Sequence, residues 1–130
     1  VAVGDIHTIN VPYFITLKNK RYSCNLNSYK NTHYRTTNAM KKEFKELITD
    51  DVLDLPVMEK VKVHFVMHYE NSRKFDIDNF LSIVSKFSCD ALVELGRLPD
   101  DNFTHIVQVT GTVGSLDRDN PHIEMRIKEI

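Results

Sequence analysis

Residues 76–101 read DIDNFLSIVSKFSCDALVELGRLPDD, and this stretch decides the fold. Phe80, Ile83, Val84, Phe87, Ala91, Leu92 and Leu95 recur at three- and four-residue spacing, which predicts an amphipathic helix with one buried stripe. Asp78 or Asn79 supplies its N-cap and Gly96 its stop. Acidic pairs stand at both ends: Asp76 and Asp78 before the helix, Asp100 and Asp101 after it.

Upstream, Val61, Val63, Phe65, Met67 and Tyr69 alternate with Lys62, His64, Val66, His68 and Glu70, the pattern of a half-buried strand. Downstream, residues 103–113 and the alternating Ile123, Met125 and Ile127 read as two more strands around a turn at 114–121. Residues 9–17 are β-branched and aromatic and predict a first strand, with Pro12 tolerable on an edge. Residues 18–36 lack periodicity and read as a long polar loop carrying Tyr22, Tyr29 and Tyr34. Thr37 can cap a second helix whose stripe is Met40, Phe44, Leu47 and Ile48, ending at turn material over 50–56. The order β-α-β-α-β-β predicts an α+β fold: one domain over 1–130, a mixed sheet of about four strands, and two helices packed on it.

At 130 residues and 42% hydrophobic the chain suits a single core. A net charge of -1 by itself points to no polyanion, but the charge is uneven. Between Lys18 and Lys45 fall Lys18, Lys20, Arg21, Lys30, Arg35, Lys41, Lys42 and Lys45, against Glu43 as the one acid. Cys24 and Cys89 show neither a disulfide framework nor zinc-ligand spacing, so a reducing, cytoplasmic compartment is expected. There is no membrane-spanning run and no signal pattern at the Val1 end.

Carboxylates crowded at a helix N-terminus repel, and a hard cation such as magnesium, with manganese as a substitute, relieves that repulsion while keeping sites for phosphate oxygens and water. A third ligand from Asp101 or Asp100 is expected if the last two strands return beside the Val61 strand. Taken singly, Asp-x-Asp-Asn is ordinary capping chemistry and Asp-Asp after Pro99 an ordinary loop. Lys86 lies two turns beyond Asp78 on the polar side of the helix, with Ser82 and Cys89, and could meet a phosphate there. His64 and His68 read as the polar face of a strand rather than as ligands.

The string Asp76-Ile77-Asp78-Asn79, Lys86, Asp90-Ala91-Leu92, Gly96, Leu98 and Asp100-Asp101 resembles the RusA family of phage and prophage Holliday junction resolvases. That family's pattern runs D-x-D-N, a lysine, D-A-L, a glycine and D-D. A weaker likeness, to members from phages of Gram-positive bacteria, lies in Leu26-Asn27-x-Tyr29, Arg35 and Met40-Lys41-Lys42-Glu43. The resemblance implies a homodimer that cuts four-way DNA junctions with magnesium, leaving 5′-phosphate and 3′-hydroxyl ends in a bacterial cytoplasm. It places the metal on Asp76, Asp78 and Asp101, with Asp100 assisting, and an essential lysine on Lys86. The family's lysine stands where this chain has Ser82, four residues earlier, so Lys74 is a second candidate for the catalytic cation. Arg21, Asn27, Lys30, Arg35, Lys41, Lys42 and Lys74 are the expected DNA contacts, since a basic loop with tyrosines suits phosphate backbones. Two other readings are a non-catalytic binder of branched DNA and a metal-dependent phosphohydrolase of small nucleotides.

Overall fold

The strand at the centre of the sheet is Val61–Tyr69, labelled β4, and the elements around it follow from its two faces. The structure, a computed structural model, describes residues 4–130. In chain order they form β1 (Ile6–Pro12), β2 (Phe14–Leu17), β3 (Lys20–Ser23), α1 (Leu26–Lys30), α2 (Tyr34–Leu53), β4, α3 (Ile77–Glu94), β5 (Ile106–Leu116) and β6 (His122–Glu129). The main sheet has the order β1-β6-β4-β5, and β2 and β3 form a separate hairpin. β6 runs antiparallel to both its neighbours, whereas β5 runs parallel to β4. The fold is thus α+β with a mixed four-stranded sheet.

Both long helices lie on one face. Val63, Phe65 and Met67 of β4 and Ile123, Met125 and Ile127 of β6 turn to that side, where they meet Met40, Phe44 and Ile48 of α2 and Ile83, Val84 and Phe87 of α3 in one core. α2 lies over β1, and α3 over β5, where a Cβ at Gly111 would come within 3.3 Å of the Ile77 and Leu81 side chains. The opposite face has no helix among the described residues and carries Lys62, Arg126 and Lys128 exposed to solvent.

Several expectations need correction. The first predicted strand is two strands, because Pro12 ends β1 opposite His122 on the sheet edge and Phe14 starts the hairpin. The predicted polar loop is largely structured. Lys18 and Asn19 both take positive φ, 48° and 66°, which closes a two-residue hairpin turn between β2 and β3. Asn25 caps α1 by accepting the Ser28 N–H at 2.8 Å. His33, not Thr37, caps α2, and Thr37 is buried one turn in, with its hydroxyl on the Tyr34 carbonyl. The α2 stripe therefore runs Thr37, Met40, Phe44, Ile48 and Val52, so the helix continues to Leu53 and Leu47 is exposed. Three helices replace the expected two. No helix of the described residues is long and apolar enough to cross a membrane.

The parallel pairing of β4 with β5 has the largest consequence for chemistry. Residues that follow β4 lie at one end of the sheet; residues that precede β5 lie at the other.

Candidate active site

Asp76 is the residue before α3, in extended backbone, and its carboxylate makes no capping hydrogen bond. An N-cap aspartate normally spends its oxygens on the first-turn N–H groups; this one remains available. It lines a cleft of about 570 Å³ together with Asn25, Asn27, Glu70, Arg73, Lys74 and Asn79, floored by Tyr13, Phe14, Phe75 and Phe80. Asn27 holds α1 against this end of α3, its N–H donating to Asn79 Oδ1 at 3.3 Å. Burial first, and then the Glu70 charge, push the Tyr13 phenol up to about 12, so it stays a neutral hydrogen-bonding group at working pH. Asp78 is exposed in the first turn of α3, where the helix dipole favours its charge, but it does not line the cleft.

Asp101 sits elsewhere. Its carboxyl lies against those of Asp90 and Asp100, and desolvation, followed by these two neighbours, raises its proton affinity above the ordinary carboxylate value. Asp100 is held in the opposite direction, its carboxylate accepting the Asp101 N–H at 2.7 Å and the Asn102 amide at 3.1 Å. Asp78 and Asp90 share α3, so at 1.5 Å per residue Asp101 is displaced from Asp78 by about 18 Å along the helix axis. The expected convergence of Asp76, Asp78 and Asp101 does not occur within the chain. Among the described residues no cluster of metal-ligating side chains contains them. β5 and β6 do flank β4 as expected, but the parallel direction of β5 leaves Asp100 and Asp101 at the wrong end.

The cations divide in the same way. Lys74 and Arg73 share the cleft with Asp76, whereas Lys86 is exposed about 12 Å along α3 from Asp78, at 1.5 Å per residue, and one turn before Asp90. Lys74 is therefore the lysine nearer Asp76. Lys41 bonds Asp90 at 2.8 Å, and Lys45 bonds Glu94 at 2.8 Å, so two of the three lysines of α2 are engaged by α3. Arg21 pairs with Glu70 at 3.1 Å and stacks over Phe14 at 3.9 Å. Lys30, Lys42 and Arg35 remain exposed, Arg35 beside the Tyr34 ring. Cys89 is buried rather than on the polar side, and burial, with Asp101 and Asp90 adding, pushes its thiol up to about 12. Asn25 and Arg73 were not singled out as site residues by sequence, and Asn79 only as a cap and a member of the Asp-x-Asp-Asn string; the Asn-rich composition of 25–31 alone hinted at a polar cleft wall.

The Asp101 environment makes a stability prediction. A carboxyl whose folded proton affinity is raised binds more protons folded than unfolded, so its contribution falls as pH climbs from the ordinary 3.8 through the raised value. Asp101→Asn is expected to raise the melting temperature at pH 7, with the gain shrinking below pH 3.8, as thermal melts across pH would record.

The sequence matches no protein-family model, and no curated protein matches it.

Proposed function

We propose that the chain is a magnesium-dependent endonuclease of branched DNA that works as a two-fold dimer, with each active site built from both protomers. The observation that carries this reading is the placement of acids at opposite ends of one helix beside an open sheet edge. β5 is an edge strand of 11 residues, and Val109 and Val113, flanking Gly111 on the helix side, are 40% and 48% exposed. Apolar side chains along an unpaired strand favour a second strand. A copy of β5 paired antiparallel would set the two α3 helices side by side in opposite directions. Asp76 and Asp78 of one protomer then lie at the end where the partner's Asp100 and Asp101 lie.

Two such sites form, related by the two-fold, as two symmetric cuts require. Magnesium held by these carboxylates would supply a Lewis acid and an activated water at the scissile phosphate. The chain's own groups do the rest. Lys74 and Arg73 hold phosphate oxygens in the cleft, and the asparagine amides bond sugar or base edges. Lys30, Lys42 and Arg35 are the free backbone contacts. The resemblance to RusA-type resolvases favours the four-way junction as substrate.

One observation favours a second reading. A single chain does not bring Asp76 and Asp78 together with Asp101, so a chain that stays monomeric would bind branched DNA without cutting it. A labelled four-way junction and its linear duplex, incubated with and without magnesium, separate the two. Paired, metal-dependent nicks in the junction alone are expected. Binding with no nicks at any protein concentration would overturn the enzymatic reading.

A further inference from the structure

On the open face of the sheet, β4 and β6 set His68 directly opposite His122. Glu124 stands two residues further along β6 on the same face. The two imidazoles stack at 4.6 Å between centroids, and His68 Nε2 lies 2.9 Å from Glu124 Oε1. One ligating atom from each of the three residues falls within 4.8 Å of the others. All three side chains are half-buried.

Each is already oriented. His122 Nδ1 is 2.8 Å from the Asn120 carbonyl, a bond that requires the proton on Nδ1 and leaves the Nε2 lone pair free. Arg126 Nη2 holds Glu124 Oε2 at 3.0 Å, which leaves Oε1 toward His68. His68 lies over Gly114, where a Cβ would come within 2.8 Å of its ring atoms, so only glycine admits the ring. The Ser115 N–H donates to His68 Nδ1 at 3.3 Å, which places the His68 proton on Nε2 facing Glu124 Oε1. When a metal takes Nε2, Ser115 Oγ, 3.1 Å from Nδ1, is the acceptor for a proton moved there. These are the outer contacts that ligating histidines and carboxylates ordinarily have.

We infer that His68, His122 and Glu124 form a binding site for a divalent metal of the zinc type, separate from the aspartates of α3. Two imidazoles and one carboxylate select zinc, cobalt or nickel over magnesium, which prefers oxygen donors and retained water. The metal replaces the proton shared by His68 and Glu124. Ligand bonds of about 2.0–2.1 Å in tetrahedral geometry separate donor atoms by about 3.3 Å, so the pair opens by a few tenths of an ångström. Water completes the shell. Bound there, the metal ties β4 to β6 beside the 117–121 turn.

The test is titration of the full chain with cobalt(II), read by visible absorption, with zinc as competitor. One equivalent with the intense absorption of a four-coordinate ion, displaced by zinc, is expected. His122→Gln and Glu124→Gln should each weaken binding at least tenfold, and Asp78→Asn should leave it unchanged. Circular dichroism of the metal-free variants checks that each is folded, and Gly114→Ala, which displaces His68 without removing a ligand, should weaken binding as well. No absorption band, or a band that survives both Glu124→Gln and His122→Gln, would overturn the site.

Discussion

Asp101→Asn is expected to lower magnesium-dependent nicking of a four-way junction by about a hundred- to a thousandfold, the scale of losing one preorganised charge-stabilising group. Junction affinity should change by less than about threefold, because Asp101 already lies against two other carboxylates and repels rather than attracts phosphate. Asparagine keeps the shape and removes the charge, so the fold is retained. The same substitution relieves the repulsion with Asp90 and Asp100, and so a more stable, inactive protein is the combined outcome. Such a trade of stability for activity is common where like charges are crowded for chemistry. Single-turnover cleavage and a binding titration on one preparation measure both halves. Unchanged cutting would remove Asp101 from the mechanism.

Phe87→Ala should lower stability by about 3–5 kcal/mol, the cost of a large buried cavity. Phe87 is 1% exposed and meets the Phe44 ring of α2 at 5.5 Å and the Tyr29 ring of α1 at 6.1 Å. It is thus the side chain on which all three helices close. Against a usual total of about 5–15 kcal/mol, such a loss leaves a marginal domain. A fall of about 10–15 °C in melting temperature is expected for a chain of this size. Because Tyr29 belongs to the helix that walls the cleft, junction binding should weaken with it. A melt within 3 °C of wild type, measured by calorimetry, would place the core elsewhere.

The legible parts of the chain were those with a local signal. The α3 stripe needed only the spacing of Phe80, Ile83, Phe87 and Leu92, and β4 only the alternation from Val61 to Met67, because burial on one face writes its period into the sequence. The hairpin was hidden because Lys18-Asn19 closes it in place of the glycine that usually marks such a turn. The α2 boundaries were misplaced because Leu47 looked apolar enough to be core, while Val52, behind two aspartates, was the true last contact. Strand direction has no local signal at all. Whether β5 runs up or down beside β4 depends on where the whole of α3 packs, and that single choice moved Asp101 from the expected cluster to the far end of the helix. The trio of His68, His122 and Glu124 was hidden for a similar reason, since 54 positions separate the two histidines that strand pairing sets side by side.

If each carboxylate set is divided between two protomers, mixed dimers of two inactive variants recover cutting that neither homodimer has. Asp76→Asn and Asp101→Asn homodimers should both be inactive. After the two are unfolded together and refolded, the mixed dimer carries both lesions in one site and none in the other, so about one nick per junction should return. Cutting that stays absent when mass spectrometry shows mixed dimers present would contradict the account.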